Sequence, residues 1–157
     1  VEELPKLIAA AFPVDATRFG ITGHSMGGHG ALSIALKNPG RYKSVSAFSP
    51  IVAPAQVPWG EKAFGAYLGP DHHAWAEYDS CALMAARGWP RDILIDQGDA
   101  DEFLATQLKP ELFADACRKR NVALTLRLQQ GYDHSYYFIS TFMAEHVRWH
   151  AERLHAG

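Results

Sequence analysis

Short apolar runs bounded by turn residues recur along the chain and predict β-strands. There are four of them, at 18–22, 44–48, 92–96 and 123–128. Stretches with apolar residues at helical spacing lie between and around these runs. This alternation is typical of βαβ units, so we predict an α/β fold with a mostly parallel sheet and helices on both of its faces.

Helices are predicted at both ends of the chain and between the strands, at 2–11, 28–37, 110–120 and 136–154. The stretch 50–90 is rich in Pro, Gly, Trp and Tyr. We expect it to be irregular, with short helical pieces near 61–67 and 80–86. We also expect the three histidines of the last helix to lie on its polar face; they are His146, His150 and His155.

A turn between the first predicted strand and the next helix carries the sequence Gly23-His24-Ser25-Met26-Gly27. This is the G-x-S-x-G pattern of a nucleophile elbow, in which a serine projects from a tight strand-to-helix turn. The glycines avoid side-chain clashes in the strained turn, and the N-terminus of the helix favours developing negative charge. The pattern predicts Ser25 as a nucleophile and the backbone N–H of Met26 as an oxyanion donor.

A serine nucleophile needs a base, and His134 is the predicted one among the eight histidines of the chain. It lies in a loop between the fourth predicted strand and the last helix. This loop follows the carboxyl end of a strand, so it belongs to the sheet edge that displays Ser25. His24 and His29 flank the elbow, where we expect them to point away from Ser25 or to pack locally.

The base in turn needs a carboxylate that orients it. Asp96 is expected to belong to the end of the third strand, whereas Asp99 and Asp101 lie in the loop beyond it. Asp101 is preferred because its distance from the turning glycine suits the acid position; Asp99 and Asp133 remain alternatives. The order Ser25, Asp101, His134 is that of α/β-hydrolases.

Length and composition limit the number of domains and the classes of molecule that the chain is expected to bind. The length of 157 residues suits one domain, residues 1–157, and 15 basic against 17 acidic residues give a net charge of -2. Nucleic acid is not expected, because there is no basic excess, and no apolar run reaches the roughly 18 residues that span a bilayer. Cys81 and Cys117 lie far apart without metal-type spacing, so we expect no metal and a reducing, cytoplasmic compartment.

Four longer runs resemble the S-formylglutathione hydrolase family, also called esterase D. The runs are GHSMGGHGAL at 23–32, PWGEKAFGAYLG at 58–69, ILIDQGDADEFL at 93–104 and LQQGYDHSYYFISTF at 128–142. Many hydrolases share the elbow, whereas the third and fourth runs are far more specific. The resemblance covers nearly the whole chain and implies an α/β-hydrolase fold with Ser25 as nucleophile, Asp101 as acid and His134 as base.

The resemblance also implies a reaction, the hydrolysis of S-formylglutathione to glutathione and formate in formaldehyde detoxification, without a cofactor. A general carboxylesterase on the same fold is the alternative. A non-enzymatic binding module would predict a broken triad, yet all three residue types are present. We expect the aromatic segment 59–78 to serve ordinary packing more than to line a substrate pocket. A homodimer is a further implication of the resemblance.

Members of this family are nearly twice as long as this chain, which starts at Val1. We therefore expect the chain to be the C-terminal part of a larger hydrolase domain. The first strands of the sheet and the loop with the second oxyanion donor would precede Val1. On this expectation the first predicted strand has one open edge.

Overall fold

A four-stranded, fully parallel sheet organises residues 1–156, the part of the chain that the computed structural model describes. Its strands follow the chain in the order β1-β2-β3-β4. They are β1 (Phe19–Ile21), β2 (Tyr42–Phe48), β3 (Ile93–Gly98) and β4 (Leu124–Gln129). All four predicted strands are therefore confirmed, with ends shifted by at most two residues. Every residue of β3 is buried, which explains its continuous apolar run.

Residues 1–156 contain seven α-helices. They are α1 (Glu3–Ala11), α2 (Met26–Lys37), α3 (Pro58–Leu68), α4 (His72–Trp75), α5 (Ser80–Arg87), α6 (Pro110–Lys119) and α7 (Tyr136–His155). Short 3₁₀ turns cover Pro54–Gln56 and Ala76–Tyr78, and a π turn covers Leu104–Leu108. Within residues 1–156, no helix has the length and apolar character needed to cross a membrane.

The prediction for the stretch 50–90 was partly wrong, because most of it is helical. Local signals start these helices: Pro58 occupies the first turn of α3, where its missing N–H costs nothing. Asp79 caps α5 by accepting a hydrogen bond from the backbone N–H of Ala82 at 2.9 Å. Helix α2 begins at Met26 instead of Gly28, because Ser25 itself takes the position before its first turn.

Helices cover both faces of the sheet, as the sequence predicts. On one face, α2, α5 and α6 bury the main apolar cluster, which includes Leu32, Met84 and Phe113. Val45 and Ala47 of β2 and Ile93 and Ile95 of β3 point into this cluster. The alternate residues of the same strands, such as Ser44 and Ser46, belong to the opposite face, where α7 packs.

Helix α1 forms as predicted, but none of its residues is buried. Leu4 and Leu7, on the predicted apolar face, are each 67% exposed. The helix therefore contributes little to the core, which α2, α5 and α6 supply.

Replacing the core residue Phe113 by alanine should lower the free energy of unfolding by about 3–5 kcal/mol, because its ring is fully buried. Urea unfolding followed by circular dichroism measures this loss. The control is Val147→Ala on α7, where the side chain is 60% exposed and the expected change is within about 0.5 kcal/mol. Equal effects of the two substitutions would contradict the assigned core.

Candidate active site

The turn between β1 and α2 holds Ser25 in a strained backbone conformation, with φ 56° and ψ -114°. Such strain persists only where the surroundings enforce it, and it is typical of functional sites. Here the backbone N–H of Ser25 donates to the carbonyl of Phe48 at the end of β2, at 2.9 Å. A Cβ on Gly23 would lie 2.2 Å from the carbonyl oxygen of Gly27, so only glycine fits there. The geometry is that of a nucleophile elbow.

Helix α2 presents its N-terminus directly after Ser25. Met26 is its first residue, and the backbone N–H of Met26 has no acceptor in the part of the chain that the structure describes. An unpaired N–H at a helix N-terminus, supported by the helix dipole, is a ready donor to an anion. The predicted position of the oxyanion donor is therefore structurally available.

His134 and Asp101 are joined by a short hydrogen bond, with 2.6 Å between Nδ1 and Oδ2. Two further donors hold the carboxylate: the backbone N–H of Phe103 at 2.9 Å and the side-chain amide of Gln97 at 3.1 Å. The Asp101 side chain is fully buried, whereas the His134 side chain keeps 16% exposure. A proton on Nδ1 that donates to Asp101 leaves Nε2 as the basic nitrogen of the neutral ring.

The two alternative carboxylates are engaged elsewhere. Asp99 accepts a hydrogen bond from the backbone N–H of Gly131 at 2.7 Å and so ties together the loops after β3 and β4. Asp133 accepts from the backbone N–H of Ser135 at 3.0 Å, just before the first turn of α7. Of the three candidate acids, only Asp101 has a hydrogen bond to His134 among residues 1–156.

The elbow and the His134 loop meet through His24. The ring centroids of His24 and His134 are 4.5 Å apart, and the ring of Phe103 meets His134 edge-on at 5.2 Å.

Within residues 1–156, no hydrogen bond joins Ser25 to His134. Such catalytic hydrogen bonds are often long without substrate and tighten when it binds. Burial and the neighbouring His134 lower the pKa of His24, which keeps a second positive charge away from His134 at neutral pH.

A cavity of about 420 Å³ opens beside Ser25. Its walls are mostly apolar and come from the elbow, the segment after β2 and helix α3; they comprise Ser25, Met26, His29, Ile51, Pro54, Trp59, Gly60, Ala63, Phe64 and Tyr67. The expectation that the aromatic segment 59–78 serves mainly packing is thus only half right. Trp75 is buried, but Trp59, Phe64 and Tyr67 line the cavity.

Known proteins resemble this chain in sequence and in fold. The chain matches the family model named Esterase, described as "putative esterase", over residues 1–149. The chain belongs to the esterase family. It is 58% identical over 157 residues to an S-formylglutathione hydrolase of Rattus norvegicus, covering 99% of this chain and 56% of that protein. It is 57% identical over 152 residues to one of Paracoccus denitrificans, covering 97% of this chain and 54% of that protein.

A solved S-formylglutathione hydrolase from Agrobacterium tumefaciens superimposes on this esterase-family chain with a TM-score of 0.94 at 56% identity. The match covers 98% of this chain and 55% of the other. A ferulic acid esterase at 19% identity, with a TM-score of 0.76, shares the fold alone. These neighbours establish the α/β-hydrolase fold, and the chain spans about half the length of the curated relatives it matches.

A second Ser–His–Asp set lies on the α7 face of the sheet and is closed by hydrogen bonds. Nδ1 of His146 is 2.8 Å from the Ser46 hydroxyl, and its Nε2 is 3.3 Å from Asp96. All three residues have 0% exposure, so no substrate can reach this serine. The predicted polar face of α7 was therefore wrong at His146, and burial argues for a structural role of this set.

The buried set continues through His150, whose ring lies 2.8 Å from the Ser46 hydroxyl and 2.6 Å from the Ser44 hydroxyl. His150 is half-buried and faces the serines of β2, so the predicted polar face of α7 was wrong here as well. Its close approach depends on Gly20 of β1, where a Cβ would lie 2.7 Å from the ring. We call Ser44, Ser46, Asp96, His146 and His150 the buried relay.

Proton positions in the buried relay follow from its carboxylate. Burial opposes ionisation of Asp96, but hydrogen bonds from His146 and Arg127 outweigh it and lower its pKa. The ionised Asp96 therefore accepts from Nε2 of His146, whose Nδ1 lies 2.8 Å from the Ser46 hydroxyl. The Ser46 hydroxyl donates to Thr22 at 2.9 Å. Ser46 in turn accepts from His150. Arg127 closes the other side, with both of its hydrogen bonds to Asp96 within 2.6 Å.

The buried relay should make the stability of this chain sensitive to mild acid. Burial, with smaller contributions from His146 and Arg153, lowers the pKa of His150 from 6.5 to about 4. Between these two pH values the unfolded state binds more protons than the folded state, so stability is full above pH 6.5 and falls as the pH drops towards 4.

Urea unfolding midpoints measured between pH 7 and pH 4 test this dependence. We expect His150→Gln to reduce the loss of stability across this window, because the residue no longer titrates. His155→Gln, at the exposed end of α7, serves as the control and should behave like the wild type. Identical pH dependence in all three proteins would contradict the assignment.

Proposed function

We propose that this chain carries the catalytic residues of a serine hydrolase, with Ser25 as nucleophile, His134 as base and Asp101 as acid. The observation that carries this proposal is the 2.6 Å hydrogen bond between His134 and Asp101, beside a strained serine at a helix N-terminus. The buried Asp101 carboxylate fixes the tautomer of His134 and stabilises the imidazolium that forms when the ring takes a proton.

In the proposed mechanism, His134 takes the proton of the Ser25 hydroxyl through Nε2 as Ser25 attacks the acyl carbonyl. The tetrahedral oxyanion receives a hydrogen bond from the backbone N–H of Met26. The leaving group then departs, takes up the proton that His134 received from Ser25, and leaves an acyl-serine. Water, activated by His134, hydrolyses this ester and returns Ser25 to its resting form.

The proposed substrate is S-formylglutathione, which would be hydrolysed to glutathione and formate. Support comes from the relatives named for this activity at 57–58% identity. A thiol has a pKa of about 8.5, so glutathione leaves as a thiolate and needs little help from an acid. On this account His134 acts mainly by activating Ser25 and the attacking water.

A general carboxylesterase is the second candidate, and the cavity beside Ser25 favours it. Its volume of about 420 Å³ exceeds what a formyl group requires, and its walls are mostly apolar. An apolar pocket of this size suits an acyl or alcohol group of several carbons. Comparing thioester and ester substrates therefore decides between the two candidates.

The proposal also covers the cellular location of the protein, its assembly and its domain organisation. A cytoplasmic location is supported by the two free cysteines, and burial raises the pKa of the Cys117 thiol to about 12, which makes it unreactive. We also propose a homodimer with α7 as part of its contact, and a single α/β-hydrolase domain that includes residues 1–157. No nucleic-acid partner is proposed.

Removing the proposed acid or nucleophile should abolish most activity. On the full natural chain, we expect Asp101→Asn to lower kcat by about 10⁴-fold, because the amide no longer fixes the tautomer of His134. Ser25→Ala should remove acyl-enzyme formation altogether. Asp99→Asn is the matched control on the same loop and should cost less than about tenfold. Equal losses in the two aspartate variants would contradict the assignment of the acid.

The substrate is tested by comparing kcat/KM for S-formylglutathione and for p-nitrophenyl acetate on the full natural chain. We expect a strong preference for the thioester, at least about a hundredfold, corresponding to roughly 2.7 kcal/mol of differential transition-state binding. A preference for the ester would favour the general carboxylesterase and overturn the proposed substrate.

A further inference from the structure

Two His–Asp pairs join the same two segments of the chain. Asp96 lies in β3 and Asp101 in the loop that follows it, whereas His134 directly precedes α7 and His146 lies within it. The outer pair, His134 with Asp101, belongs to the candidate active site. The inner pair, His146 with Asp96, is buried and takes no part in the proposed mechanism.

The inner pair supplies the fully buried part of the directional contacts that place α7 on the sheet, which also include Glu145 with Arg127 and Arg153 with Asp92. The apolar residues of the same helix face, Phe138 and Phe142, could pack against the sheet in more than one register, because apolar contacts are not directional. The buried His146 ring has no such freedom, because moving the helix would take Nε2 away from Asp96 and Nδ1 away from Ser46. The carboxylate itself would still be held by Arg127. Ser46 adds a second directional contact to His146 at 2.8 Å.

The position of α7 determines the position of His134. Tyr136 is the first residue of the helix, so His134 lies two residues before its first turn. Sliding α7 by a single residue would displace the loop by about 1.5 Å and rotate it by about 100°. Either movement would break a hydrogen bond that is only 2.6 Å long.

The inner pair also contacts the other side of the site. The ring of His146 stacks on Phe48 with centroids 3.8 Å apart. The backbone of Phe48 receives the N–H of Ser25 and donates to the carbonyl of Gly23, both at 2.9 Å. The buried His146 side chain therefore contacts Phe48, whose backbone holds the elbow, and belongs to α7, the helix that follows the His134 loop.

We propose that His146, held by Asp96 and Ser46, is a positioning residue that sets α7 on the sheet and thereby holds His134 against Asp101 beside Ser25. The catalytic consequence rests on the proposed triad. The geometric consequence is that the hydrogen bond between His134 and Asp101 stays well ordered. This can be measured whether or not the protein has the proposed activity.

The test uses the full natural chain and the variants His146→Leu, His146→Gln and His155→Leu. Leucine removes both polar contacts, and we expect kcat to fall by about 10- to 100-fold with KM unchanged within about twofold. Glutamine can still donate to Asp96 and should recover most of the loss. His155→Leu, at the exposed end of the same helix, should match the wild type.

A proton NMR measurement supplies a readout that a merely stabilising residue would not change. The proton between His134 Nδ1 and Asp101 should give a low-field resonance, which is assigned by its loss in Asp101→Asn. We expect this resonance to disappear or broaden in His146→Leu and to persist in His146→Gln. A folded His146→Leu protein with an unchanged resonance and unchanged kcat would overturn the proposal.

A leucine variant that does not fold and a wild type without activity have different meanings. If the leucine variant does not fold, Ser46→Ala replaces it, since this change removes the contacts of the Ser46 hydroxyl to His146 and to His150. It should weaken the resonance and lower kcat by about tenfold, and an unchanged resonance and kcat in that variant would overturn the proposal. If the wild type hydrolyses neither substrate, the proposed function fails, while the resonance still decides whether His146 positions His134.

Discussion

The hydrogen bond between His134 and Asp101 joins the two loops on which the candidate site depends. These loops leave β3 and β4, which pair in parallel up to Gly98 and Gln129. Because parallel strands end at the same sheet edge, their register brings both loops to that edge. Gly98 allows the final approach, since a Cβ there would lie 2.2 Å from the carbonyl oxygen of Tyr132. The site is thus a consequence of strand register and of one missing side chain.

Burial distinguishes two chemically similar sets of residues in this chain. The set Ser46, His146 and Asp96 is closed by hydrogen bonds but has no exposure. The set around His134 is partly open, and its serine lies at a helix N-terminus beside a cavity. Residue types and hydrogen bonds alone would select the wrong set. Access for a substrate and a donor for the oxyanion select the elbow.

The sequence predicted those features that depend on local chemistry. Glycine spacing around Ser25 encodes the elbow, because a strained turn requires small neighbours. Apolar runs between turn residues encode the four strands. Asp101 could be preferred over Asp99 from its place in the loop, and the structure explains the difference by the separate role of Asp99 between the two loops.

The features that the sequence could not predict depend on contacts between distant segments. His146 and His150 have the helical spacing of a polar face, and only their partners on β2 show that this face is buried. A signal was present in Ser44 and Ser46, which alternate along a strand with few exposed positions. Polar residues on one face of a buried strand require partners, and a helix with two histidines could supply them.

Covalent labelling tests the central claim most directly, because it asks which serine reacts and whether His134 activates it. The full natural chain would be treated with an alkyl fluorophosphonate, and the modified peptide would be identified by mass spectrometry. We expect a single adduct on Ser25, and a rate of labelling that falls by at least about a thousandfold in His134→Gln. An adduct on another residue, or an unchanged rate in that variant, would contradict the account.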